Sequence, residues 1–226
     1  MTIYPLIFIP SPRDLEEFKE ATSKLKYDKI WLKYYNEDDA YRLGRDWFLQ
    51  HPQYTHFIIL PDDLIVTQKD LFNLVVDTDI SKGIVSGWCR NTIRKNIYWK
   101  GEPETEDMAD SCISIECLPP DPPNQGTYDK YRFMSLKSIR EAMYKGFTHI
   151  PVKYAGFPPT IIPRDIVNKI PFRTSSGCCT DSCFSLDLAK NKIDQICDLR
   201  VRTYHFDDTY DKIKVGKEVP ELRTEP

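Results

Sequence analysis

Three short apolar runs, at 3–9, 29–35 and 55–60, are separated by two amphipathic stretches near the start of the chain, and this alternation constrains the fold more than any other feature. Ile3 to Ile9 reads as a strand stopped by Pro10-Ser11-Pro12. Asp14 to Leu25 reads as a helix with Leu15, Phe18 and Leu25 on one side. Lys29 to Tyr35 is a second strand, closed by Asn36-Glu37-Asp38-Asp39. Asp38 or Asp39 is placed to cap a helix whose apolar face carries Ala40, Leu43, Trp47 and Phe48. His51-Pro52 ends that helix, and Thr55 to Leu60 forms a third strand. The pattern predicts an α/β fold: a mostly parallel central sheet flanked by helices, joined by right-handed crossovers.

The third run empties into Pro61-Asp62-Asp63. A strand with no polar interruption is buried on both faces. In an open α/β sheet its carboxyl end borders the ligand crevice. Two acids there suit a hard divalent cation held beside a phosphate. Beyond them, Thr67 is placed to cap a helix through Val76, and Gly83 to Trp88 reads as a fourth strand. The acidic segment 101–110 and the Pro-Pro-Asp-Pro-Pro run at 119–123 mark a long excursion around a strand at Cys112 to Cys117. Ser135 to Tyr144 reads as a helix, Thr148 to Tyr154 as a strand and Arg164 to Lys169 as a helical turn. A helix opens at 177–181 and runs to Lys190, and Asp198 to Phe206 is a last strand bearing His205. The polar tail from Lys212 is expected to be loosely held.

Composition narrows the function classes. A net charge of −3 gives no electrostatic footprint for nucleic acid, and Arg200 and Arg202 read as strand-face charges. No run reaches the roughly 20 apolar residues that span a bilayer. The first run contains Pro5 and has no basic leader, so a cytoplasmic protein is expected. Seven cysteines, an odd number, point to reduced thiols rather than a disulfide framework. Gly-x-Gly-x-x-Gly, the Gly-rich Lys-Ser/Thr phosphate loop and the Gly-x-Ser-x-Gly elbow are all missing from the sequence.

Three loci remain: Asp62 with Asp63, Asp181, and His205. Each also has a plain structural reading. Asp62-Asp63 can be a turn, Asp181 an N-cap, and His205 a core or edge histidine. Cys178, Cys179 and Cys183 lack paired Cys-x-x-Cys spacing and read as packed thiols rather than a zinc site. Arg45 can reach a diphosphate or form a salt bridge near Asp46.

The order of these loci resembles the GT-A class of nucleotide-sugar glycosyltransferases, especially its compact family-2-like members. His56 through Val66 is similar to the segment bearing an Asp-x-Asp-type motif after a buried strand. Gly156-Phe157 through Phe172 is similar to the acceptor-side stretch, Cys179 through Leu186 to the acid-bearing helix start, and Asp198 through His205 to the closing strand. The resemblance spans roughly residues 3–206. It implies one GT-A-like, Rossmann-like domain over 1–226, with a nucleotide-sugar half at about 1–92, an acceptor half at about 93–206 and a tail at 207–226. It further implies Mn²⁺ or Mg²⁺ bound by Asp63 and His205, and Asp181 as base in an inverting transfer to a hydroxyl acceptor. Pro10, Ser11, Arg45 and Asp62 are then expected at the nucleotide-sugar donor, and Trp88, Gly156 and Phe157 at the sugar or at a glycan, lipid-linked or protein acceptor. One departure stands out: Pro61 occupies the position of the motif's first acid, so the ribose contact falls to Asp62. A non-catalytic nucleotide-sugar or glycan-binding protein and a sugar-nucleotidyltransferase are the rival readings.

Overall fold

The computed structural model describes residues 2–78, 83–90, 113–115, 118, 134–175, 179–205 and 210–226, without the side chains of Arg90, Tyr204, His205 and Tyr210. The acidic segment 101–110 and half of the strand expected at Cys112 to Cys117 lie outside the described residues.

The first half follows the alternation. Strand β1 (Pro5–Ser11) leads through helix α1 (Glu16–Ser23) to β2 (Lys29–Lys33), and α2 (Glu37–Gln50) leads to β3 (His56–Ile59). Every residue of β1 is buried, as expected of a run with no polar interruption. Ile7 and Ile9 pack on one face of the sheet with Phe18, Trp31, Leu71 and Leu74. Leu6 and Phe8 pack on the other with Tyr41, Phe48 and Phe57. Two cores thus sandwich the sheet.

Helix starts follow local chemistry. The side chain of Asn36, rather than Asp38 or Asp39, caps α2 by accepting from the Asp39 backbone N–H at 2.9 Å. The acids instead fill the first turn, where the helix dipole favours negative charge. Thr67 caps α3 (Gln68–Asp77) in a reciprocal capping box with Asp70.

The remaining elements are β4 (Leu64–Ile65), β5 (Ile84–Arg90), β6 (Ile113–Ser114), α4 (Leu136–Tyr144), β7 (His149–Pro151), β8 (Tyr154–Ala155), β9 (Thr160–Pro163), α5 (Arg164–Lys169), α6 (Thr180–Lys190), β10 (Gln195–His205) and β11 (Glu221–Glu225). The large sheet has the order β11-β2-β1-β3-β9-β5-β10-β4, with β7 also on β10, while β6 and β8 form a separate pair. β2, β1, β3, β5 and β10 run in one direction. β9 is inserted antiparallel between β3 and β5. The result is a mixed sheet flanked by helices, with the parallel blocks β2-β1-β3 and β5-β10 on either side of β9.

Two segments differ from the sequence reading. Thr148 to Tyr154 is not one strand, because β7 pairs with β10 and β8 with β6. The tail is not loose at its end: β11 lies antiparallel on β2, with Glu221 opposite Lys33 and Glu225 opposite Lys29. Its polar side chains protect an exposed edge, which polarity alone does not distinguish from a free tail.

Gly44 sets how closely α2 approaches β1. A Cβ added there would stand 2.5 Å from Cε2 of the buried Phe8 ring. Gly44→Ala is expected to lower the unfolding free energy by about 1–3 kcal/mol through overpacking. A urea melt checks this, and an unchanged midpoint would mean that α2 can shift outward freely.

Candidate active site

The chain leaves β1 toward β2 on one side and returns to β3 on the other, so the carboxyl ends of β1 and β3 form a topological switch point, where open α/β sheets bind ligands. Residues 11–14 after β1 and 60–63 after β3 meet there.

Asp62 is fully buried. Its Oδ2 accepts from the Ser11 hydroxyl (3.0 Å) and from the backbone N–H groups of Arg13 (2.9 Å) and Asp14 (3.1 Å). Its Oδ1 accepts from Arg13 Nη1 at 2.7 Å. Burial raises its pKa, and the charge and backbone hydrogen bond of Arg13 oppose that rise only in part. Arg13 Nη2 reaches Asp63 Oδ2 at 2.9 Å, so one guanidinium bridges both acids. Arg13 Nε is buried and has no hydrogen-bond partner among the described residues. The expected ribose contact of Asp62 is therefore corrected: its oxygens hold the 11–14 loop instead of facing a ligand. Pro10 and Ser11, placed by the sequence at the donor, are buried at the end of β1, with Ser11 committed to Asp62.

Asp14 continues this network. Its carboxylate meets Lys33 (2.8 Å), Lys19 (2.9 Å) and the Tyr34 hydroxyl (2.8 Å). Burial alone would raise its pKa, but the hydrogen bonds from Lys33, Lys19 and Tyr34 prevail and lower it from 3.8 to about 2. Asp14 (φ 59°) and Tyr34 (φ 62°) both have left-handed backbone, a strain of about 1–3 kcal/mol each that these contacts must hold in place.

The second half supplies Asp181 in the first turn of α6. Its Oδ1 accepts from the Ser182 N–H (2.6 Å), and its Oδ2 accepts from the Tyr154 hydroxyl (3.1 Å). Glu37, the first residue of α2, caps α6 from outside by accepting from the Thr180 N–H at 2.7 Å. Burial, followed by the charges of Glu37, Asp181 and Asp63, pushes the Tyr41 phenol well above its ordinary pKa. The Glu37–Thr180 hydrogen bond joins the starts of α2 and α6. Phe157, partly buried, stacks on the Tyr41 ring at 5.3 Å, and Gly156 beside it is buried.

The β10–β4 register sets His205 opposite Leu64, the neighbour of Asp63. The His205 side chain lies outside the described atoms, so only the backbone register of the expected Asp63–His205 pair is described. Two other expectations are corrected. Arg45 donates to the Val167 (2.9 Å) and Asn168 (3.0 Å) carbonyls near the end of α5, which leaves it tied to that helix rather than to a diphosphate. Trp88 is buried, donates Nε1–H to the Leu199 carbonyl at 2.9 Å and is covered by Arg202, so it is a core residue rather than a sugar platform.

The sequence reading missed Arg13, Glu37, Tyr41 and Tyr154. Arg13 had a signal, as the one base directly after the first strand. Tyr41 also had one, in the 41-44-48 spacing of the buried face of α2. Glu37 and Tyr154 act across the fold and left no local trace. Among the described cysteines, Cys89, Cys179, Cys183 and Cys197 are free thiols, while Cys178 lies outside the described residues.

Elsewhere, Asp77, His149 and Asp198 bring donor atoms within 4.8 Å of one another and could hold a metal ion. His149 Nε2 lies 2.6 Å from Asp77 Oδ2. Burial and the hydrogen bond with Asp77 raise the pKa of Asp198. Burial also acts on Asp77, but hydrogen bonds from Asp198, His149 and Arg200 hold its pKa low. The Arg200 guanidinium contacts both carboxylates, so an entering cation must displace it. A cavity of about 490 Å³ beside Val152, Ile193 and Gln195 lies at the amino end of β10, the edge opposite Asp63, and its position excludes it from the site.

No family model matches the sequence, and no curated protein matches it. Among solved structures, the chain is similar to A197 from STIV, with a TM-score of 0.61 and 15% identity over 99% of this chain and 96% of that one. The likeness establishes the α/β architecture. Among the described residues no helix is long and apolar enough to cross a membrane.

Two measurements test these networks. The folded Asp14 carboxyl stays ionised down to about pH 2, so its stabilisation is complete above the unfolded value of 3.8 and disappears as pH falls toward about 2. Asp14→Asn should therefore have a lower urea midpoint than the parent near pH 7, with the gap closing by about pH 2. A gap that is constant with pH would remove the carboxylate from the account. For the second cluster, Arg200→Met is expected to melt lower than the parent and to gain more from added Zn²⁺ than the parent does. Equal Zn²⁺ shifts would show that the guanidinium does not compete with a metal.

Proposed function

We propose that the protein is a metal-dependent glycosyltransferase that moves a sugar from a nucleotide-sugar donor to a hydroxyl acceptor with inversion. The observation that carries this reading is the pair of acids, Asp62 and Asp63, at the switch point between β1 and β3, bridged by Arg13. The switch-point position and the resemblance in motif order support it. The likeness to A197 supports the architecture alone.

In this reading Asp63 and His205 would hold the metal. A carboxylate with an imidazole suits Mn²⁺ better than Ca²⁺, because imidazole nitrogen is a poor ligand for the hardest ions. Arg13 offsets one of the two acids and leaves the corner acidic on balance, which favours a divalent cation. When bound, the ion supplies Lewis-acid stabilisation of the departing diphosphate. Asp181 takes the proton of the acceptor hydroxyl as that oxygen bonds to the anomeric carbon and the bond from that carbon to the diphosphate breaks. A single displacement of this kind inverts the anomeric centre. Tyr154 orients the Asp181 carboxylate, and Phe157 lines the acceptor side. Asp62 acts through position, by fixing the loop that carries Arg13.

One observation favours a second reading. The Arg13 clamp on both acids suits a non-catalytic protein that binds nucleotide sugars or glycans on the same fold. The deciding experiment incubates the protein with a panel of nucleotide sugars and Mn²⁺ and measures nucleoside diphosphate release. Release that depends on Mn²⁺ is expected, abolished by Asp63→Asn and slowed about 10²–10⁴-fold by Asp181→Asn. A melting-temperature rise with nucleoside diphosphate and Mn²⁺ but no release from any donor would favour the binding protein. Neither release nor a rise would sink both readings.

A further inference from the structure

We propose that α4 and the turn leading into β7 form a docking site for an anionic lipid bilayer surface. Leu136 and Ile139 bury the inner side of α4 against Trp88, Cys197 and Leu199. The outer side and tip are unusual. Tyr144 is 94% exposed, Phe147 56% and Met143 45%, grouped within five residues of sequence. Lys137, Arg140 and Lys145 are exposed on the same segment against a single acid, Glu141. Among the described residues, none of the three bases is in an ion pair.

The tip is held rigidly. Gly146 has φ 86°, its N–H donates to the Met143 carbonyl (2.9 Å), and the Phe147 N–H donates to the Ala142 carbonyl (3.1 Å). This is a Schellman turn, in which the residue after the glycine usually packs back on the helix. Here that residue is Phe147, and it projects into solvent instead.

The chemistry favours lipid over a protein partner. A stable protein interface buries about 800 Å² on each side over a broad patch. Three apolar side chains at a projecting helix end fall short of that area. Aromatic side chains flanked by exposed bases do match an interfacial segment, whose apolar tip enters the headgroup layer while its bases meet anionic lipid. β7 runs antiparallel to β10, so the 144–147 corner lies toward the edge at which β10 and β5 end. Docking there would turn the carboxyl edge of the sheet toward the membrane. The docking itself does not depend on the transferase reading.

The test is co-sedimentation with vesicles of phosphatidylcholine alone and of phosphatidylcholine mixed with phosphatidylglycerol. The full chain is expected to sediment with the mixed vesicles and to be released by salt. Replacing Tyr144 and Phe147 together with Ser should weaken binding about tenfold or more, each change removing an anchor at about 1.4 kcal/mol per tenfold. Replacing Lys137, Arg140 and Lys145 with Gln should weaken it on the order of a hundredfold, at about 1 kcal/mol per base. All five positions are exposed, so the variants should melt with the parent, and a thermal scan confirms that they are folded. Absence of sedimentation with the mixed vesicles would overturn the proposal. So would binding that ignores lipid charge and both variants, or a dimer in sedimentation velocity that the Tyr144/Phe147 variant dissociates, which would assign the patch to a second copy.

Discussion

The carboxyl edge of the sheet depends on one buried carboxylate. Asp62 gathers the Ser11 hydroxyl, two backbone N–H groups and the Arg13 guanidinium, which gives the turn out of β1 one conformation. Everything placed at the switch point follows from that junction. Arg13 is brought back across the acids, Asp63 is fixed at the crevice, and Asp14 is delivered to Lys33, Lys19 and Tyr34. Losing one partner of such a buried pair costs about 3–5 kcal/mol, because the other charge stays behind without solvent.

The same device recurs at Asp77 and Asp198, where Arg200 joins two buried carboxylates. In both places burial raises the energy of the acids and a guanidinium offsets it. The two clusters differ in what surrounds them. The Asp62–Asp63 corner adjoins a switch point, whereas the second is enclosed by α3, β7 and β10 and is shared with a histidine. A metal at either must contend with an arginine already in place.

What could be read from the residues divides along a physical line. Elements set by local pattern were legible: β1 to β3 from their apolar runs, α3 from Thr67, and α4 from Ser135, whose side chain accepts from the Ser138 N–H. Features set by partners far along the chain were not. For Arg45 the local pattern offers a diphosphate or Asp46, yet its main partners are the distant carbonyls of Val167 and Asn168. Trp88 at a strand end looked exposed until Leu199 and Arg202 covered it. β11 carries no apolar alternation, since an edge strand needs only backbone pairing. The acids themselves were found, but the division of labour between Asp62 and Asp63 is visible only with Arg13 in view.

The antiparallel β9 has a consequence for how this chain is made. β3 and β5 are never neighbours; β9, encoded far downstream of both, is the wedge that joins them. As the chain leaves the ribosome, β1, β2 and β3 can assemble early, but β3 then presents a bare apolar edge until residue 163 has emerged. That interval is when stray strand pairing threatens. Final closure of the sheet is therefore an act of insertion, and the short Thr160–Pro163 segment is the keystone of folding as well as of the finished architecture.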